Sequence, residues 1–179
     1  MGPSIHEQNK LQANSKTNTL IPVRFLVKMY ELTGDNRYYK RALAAGEYGY
    51  KAFFQDLGLF IGGTPDHSNI CDKEAGVYAM YAFTSLYMMT KDKKWLEAAE
   101  YAAIFAFSHT YCYDFKIQGD EKENIFKNGG VIGQSIISVG TSDSDNYNAF
   151  IYYELFKMYI LTQDPFYKKA AQLLERNTK

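Results

Sequence analysis

The sequence predicts an all-α domain of three antiparallel helical hairpins. Two observations carry that expectation. The pattern Tyr-x-(Leu or Met)-Thr-x-Asp-x-x-(aromatic), with Ala seven residues after the Asp, occurs three times. The segments that flank each copy repeat their apolar residues with a period near 3.6, which argues helix and excludes the two-residue period of a strand. The copies are Tyr30–Asp35 with Tyr38 and Ala42, Tyr87–Asp92 with Trp95 and Ala99, and Tyr159–Asp164 with Tyr167 and Ala171. Their Asp residues lie 57 and 72 residues apart. Tetratricopeptide and ankyrin arrays, with periods near 33 to 34, are excluded.

In chain order, residues 1–19 (MGPSIHEQNKLQANSKTNT) form a loose polar lead-in. Helices follow near 20–32 and 36–55, 75–89 and 93–110, and 147–161 and 165–177, so residues 20–179 make up the folded part. Thr-x-Asp is turn and cap chemistry, because the Asp carboxylate accepts the orphan amide protons of the next helix. Pro165 directly after Asp164 is the expected residue at a first helical position. The first helix of each hairpin is the apolar one. Ala75–Met89 has 12 apolar residues in 15 and no charge, and Tyr147–Leu161 also has 12 in 15. Helices apolar nearly all round are expected to be buried on several sides. Ile21–Leu32 carries Arg24, Lys28 and Glu31 and is expected to be less enclosed. The second helices are amphipathic. Phe166, Tyr167, Ala170, Ala171 and Leu174 recur on one face, while Lys168, Lys169, Gln172 and Glu175 fill the other. Trp95, Ala98, Ala99 and Ala102 behave likewise, with small residues for close helix contact.

Composition excludes several function classes. The chain has 179 residues, 20 basic and 20 acidic, for a formal net charge of zero. That argues against a basic nucleic-acid surface and a polybasic membrane anchor. With 46% apolar and 22% charged residues the chain is globular rather than disordered. No apolar run reaches the roughly 18 to 20 residues of a membrane span. The first twenty residues are polar, so no signal peptide is visible, and position 6 is His6 rather than the Ser or Thr that myristoylation requires. The expected localisation is cytoplasmic if Met1 is the true start, and secreted or periplasmic if a further part precedes it. Two cysteines are too few for a disulfide scaffold; a Cys71–Cys112 bridge competes with two buried free thiols, which are the default.

The connections point to one rim. Short Thr-x-Asp turns join helices within a hairpin, whereas long segments near 56–74 and 111–146 join the hairpins to one another. In antiparallel hairpins both long connections share one end, and loops longer than about 15 residues are typically functional or disordered. That rim is chemically dense. The first connection reads Gly62-Gly63-Thr64-Pro65-Asp66-His67-Ser68-Asn69-Ile70-Cys71-Asp72-Lys73-Glu74-Ala75-Gly76. The second ends Val139-Gly140-Thr141-Ser142-Asp143-Ser144-Asp145-Asn146-Tyr147. His109, Tyr111, Cys112 and Tyr113 are expected at the same rim. Val131–Val139 reads as a short extended segment lining it. Gly129-Gly130 stands too isolated for a phosphate loop, and no Walker or dinucleotide pattern, HExxH or CxxC is present. No cofactor and no metal site is expected.

The Gly-Gly-Thr-Pro-Asp…Asp-Lys-Glu-Ala-Gly string, followed by a helix ending Leu-Tyr-x-x-Thr-x-Asp-x-x-Trp-Leu-x-x-Ala, resembles the six-hairpin glycosidase-like superfamily, the (α/α)6 toroids, and especially its uncharacterised bacterial members. The resemblance covers about residues 20–179. It implies a ring of inner helices with a carbohydrate-binding cleft where they begin, and a carbohydrate substrate. The chain carries three of the family's six hairpins, so the resemblance implies a partial toroid: a fragment of a longer protein, or a half-ring closed by another chain. Exposed ends of an incomplete ring are expected to self-associate.

Glycoside hydrolysis needs two carboxyl groups flanking the bond, one donating a proton and one attacking or activating water. Asp72 or Glu74 from the first connection and Asp143 or Asp145 from the second are the candidates. Asp66, His67, His109, Tyr111 and Tyr147 are candidate substrate contacts, with Tyr78 and Tyr113 as further stacking candidates. A structural reading stands beside each. Asp72 caps a helix, with Glu74 favoured by the helix dipole. Ser142-x-x-Asp145 resembles a capping box with Asp in place of Glu. Asp66 serves a Gly/Pro-rich turn. His67 and His109 as an acid/base pair correspond to the sugar epimerases of the fold, whereas His109 near a helix C-terminus is favoured there anyway. Alongside the hydrolase stand a non-catalytic scaffold binding glycan or protein, and an epimerase or polysaccharide lyase on the same frame.

Overall fold

Three copies of Tyr-x-x-Thr-x-Asp fold into three copies of one turn. The residue between Thr and Asp is Gly34, Lys91 or Gln163, and each takes left-handed backbone, with φ of 67°, 62° and 61°. Its N–H donates to the carbonyl of Tyr30, Tyr87 or Tyr159, at 2.8 Å in every copy. That closes the preceding helix by the left-handed cap, which satisfies an orphan carbonyl. The Thr hydroxyl donates to the carbonyl four residues back: Thr33 to Met29 at 2.6 Å, and Thr90 to Leu86 and Thr162 to Met158 at 2.8 Å. The same hydroxyl oxygen accepts the Asp N–H at 3.2 Å in all copies. The Asp carboxylate then opens the next helix, accepting from the N–H of Arg37 at 2.9 Å, Lys94 at 3.1 Å and Phe166 at 2.8 Å.

These turns punctuate a mostly helical chain. The computed structural model describes residues 18–61, 71–114, 131–138, 141–145 and 148–178, without the side chains of 55–57 and 141–145. After a 3-10 turn at Asn18–Leu20 come α1 (Val23–Thr33), α2 (Asn36–Lys51), α3 (Lys73–Thr90), α4 (Lys93–Phe107), α5 (Asn148–Thr162) and α6 (Pro165–Asn177). A π-helical turn, Ala52–Leu57, extends α2. A two-stranded ribbon, β1 (Ser135–Ser138) with β2 (Thr141–Asp145), precedes α5. The helix boundaries lie within about two to three residues of those expected. The exception is the end of α2, where the chain turns π-helical from Ala52. The lead-in through residue 17 falls outside the described residues.

The chain divides into two compact units: one of residues 1–106 with 138–140, the other of 107–137 with 141–179. In the first, α1 packs on α2 and α3, and α2 packs on α3. The core is the stripe Ala75, Ala79, Met80, Phe83 and Leu86 of α3 with Trp95, Ala98, Ala99, Ala102 and Ala106 of α4, all buried. The Phe83 ring stacks on Trp95 at 5.8 Å. Full burial of Met80, Phe83 or Leu86 contributes about 1.5–3 kcal/mol each, and that of an alanine methyl roughly 0.8 kcal/mol. Close approach of α3 to α4 is built on Gly76, where a Cβ would lie 2.5 Å from the Phe105 ring and 3.1 Å from the Ala106 backbone. α1 buries only Val23 and Val27, in line with its polar sequence.

In the second unit α5 packs against α6. Ile151, Leu155 and Met158 are buried on α5, and Tyr167, Ala170, Ala171 and Leu174 on α6. The segment after α4 runs beside β1: Tyr111 N–H donates to Gln134 O at 2.8 Å, and Ile136 N–H to His109 O at 3.0 Å. The Asp114 carboxylate accepts from the N–H groups of Val131 and Ile132 at 2.8 and 3.1 Å.

Two expectations change here. A capping box at Ser142-x-x-Asp145 would start the helix directly after Ser142. Instead Thr141–Asp145 pairs with β1, which supplies backbone partners, and α5 begins at Asn148. The ribbon also accounts for part of the extended segment expected at Val131–Val139. The second change concerns α5, which is not enclosed all round. Phe150, Tyr153, Phe156 and Ile160 face solvent, because α6 covers only the opposite side.

Candidate functional site at the start of α3

The first connection delivers the chain to α3 in extended form. Cys71 pairs with Ile61, and Asp72 with Ser138, each through an antiparallel backbone bridge. Asp72 is the N-cap, with φ −118° and ψ 141°, and its Oδ1 accepts the Glu74 N–H at 2.6 Å. Up to this point it repeats the chemistry of Asp35, Asp92 and Asp164.

The surroundings differ from those caps. Asp35, Asp92 and Asp164 are solvent-facing or partly so, whereas Asp72 is 3% exposed. Lys73, the first residue of α3, is 0% exposed, and Glu74 beside it is half-buried. All three engage further groups in the structure. A cap alone needs only the Asp. Lys73 is opposed twice: its ammonium is removed from water, and it stands at the helix end where the backbone dipole favours anions. Burial, and then the Asp72 charge, raise the Cys71 thiol above its ordinary value of 9.0.

Lys73 is the residue that sequence reasoning passed over. Its signal was present: an Asp-Lys-Glu triplet directly before a charge-free apolar helix. Lysine normally reads as a solvated residue, and nothing local announces its enclosure.

The other expected site residues fall into three groups. Asp66, His67 and Tyr147 lie outside the described residues. Asp143 and Asp145 have their backbone in β2, and their side chains lie outside the description. His109 and Tyr111 belong to the second unit. His109 is buried in the turn after α4, and Tyr111 is half-buried, with its carbonyl accepting the Gly133 N–H at 2.9 Å. The structure thus brings Asp72 and Glu74 together in one unit, and His109 and Tyr111 together in the other. Of the stacking candidates, Tyr78 is half-buried on α3 and Tyr113 is exposed.

A second polar cluster, also missed in the sequence, lies in the second unit. Ser135 Oγ donates to Asn148 Oδ1 at 2.9 Å, and Asn148 Nδ2 donates to Gly133 O at 2.5 Å. Both side chains are buried, and Asn148 thereby ties the start of α5 to the ribbon. Both cysteines are free. Among the described residues no group of three His, Cys, Asp or Glu side chains is placed to hold a metal ion. None of the described helices is long and apolar enough to cross a membrane. Comparison with protein-family models, with curated proteins and with solved structures finds no match.

Proposed function

We propose that the chain is a carbohydrate-active hydrolase, or part of one, built on antiparallel helical hairpins of the toroid type. The observation that carries this reading is the start of α3. Asp72, Lys73 and Glu74 place three charges in or near the protein interior, at the N-terminal end of the most enclosed helix. Glycoside hydrolysis asks for carboxyl groups held in a partly desolvated setting, where one keeps its proton for the leaving oxygen and another attacks or activates water. Glu74, the less enclosed carboxylate, is the one assigned to reach the sugar. Asp72 holds the helix start in place through its bond to the Glu74 amide. The threefold Thr-x-Asp turn supports the hairpin arrangement, because each copy joins two helices across a two-residue link.

The test is release of reducing ends from a panel of neutral, acidic and amino-sugar oligosaccharides. Turnover is expected on at least one class. Glu74→Gln is expected to lower it by about 10²- to 10⁴-fold while the folded state persists. No turnover on any class would defeat the proposal.

A second reading has its own observation. Asp72 Oδ1 is already committed to the cap, and the side chain is enclosed, as in a residue that serves folding alone. On that reading the chain is a non-catalytic scaffold binding glycan or protein, and Asp72→Ala lowers stability without any activity to lose.

A further inference from the structure

We draw no further inference here: the strongest candidate, the exposed face of α5 formed by Phe150, Tyr153, Phe156 and Ile160, carries nothing because Lys157 stands among these residues and nothing in the structure shows what covers them.

Discussion

Lys91 and Gln163 hold the backbone conformation that Gly34 holds in the first turn. For a residue with a Cβ, left-handed backbone costs about 1–2 kcal/mol, and glycine returns part of that through its freer unfolded chain. Lys91→Gly and Gln163→Gly are therefore each expected to raise stability by about 0.5–1 kcal/mol in urea unfolding. Gly34→Ala is expected to lower it by a similar amount. Cys71 supplies a residue-scale test of burial. Its thiol is raised above 9.0 by enclosure and then by Asp72. The folded state thus favours the neutral thiol; this contribution is complete below the unfolded thiol's pKa and disappears as pH rises through the folded value. Alkylation with iodoacetamide near neutral pH is expected to label the exposed Cys112 before Cys71, with the Cys71 rate still climbing beyond pH about 9.

At the scale of elements, most of the helices were legible, because their signals are local. Thr-x-Asp encodes a turn within six residues, and the 3.6 period marks a helix whatever it packs against. The π-helical turn was not legible, since Ala52–Leu57 reads as more of the same apolar helix and its wider hydrogen bonding leaves no periodic mark. The pairing of Thr141–Asp145 was hidden for a related reason. Ser and Asp are common at helix starts, and only the nearby β1 decides that these residues pair as a strand instead. The start of α3 was half legible: the cap at Asp72 follows from residue type, whereas the enclosure of Lys73 depends on tertiary packing. A substitution pair separates the two roles of Asp72. Asp72→Ala is expected to cost about 1 kcal/mol or more of stability by melting or denaturant titration. Asp72→Ser, which retains a capping oxygen without the charge, is expected to recover most of it.

At the scale of the whole molecule, a net charge of zero and a mostly helical fold describe many proteins and select no activity by themselves. What distinguishes this chain is where it departs from economy. Three of its Asp-capped helix starts are at the surface and simple; the fourth draws a lysine and two carboxylates into or against the core. That placement was only partly visible in the sequence, because a charged triplet before an apolar helix fits a solvated loop equally well. The hydrolase reading gives those charges work that folding alone does not require. Glu74→Gln tests it most directly, since it keeps the shape of the side chain and removes only its ionisable proton. With the oligosaccharide class that the wild type cleaves, the expected result is a fall in kcat of about 10²- to 10⁴-fold with an unchanged melting temperature. Full turnover in Glu74→Gln, or a loss of turnover that tracks a loss of folding, would contradict it.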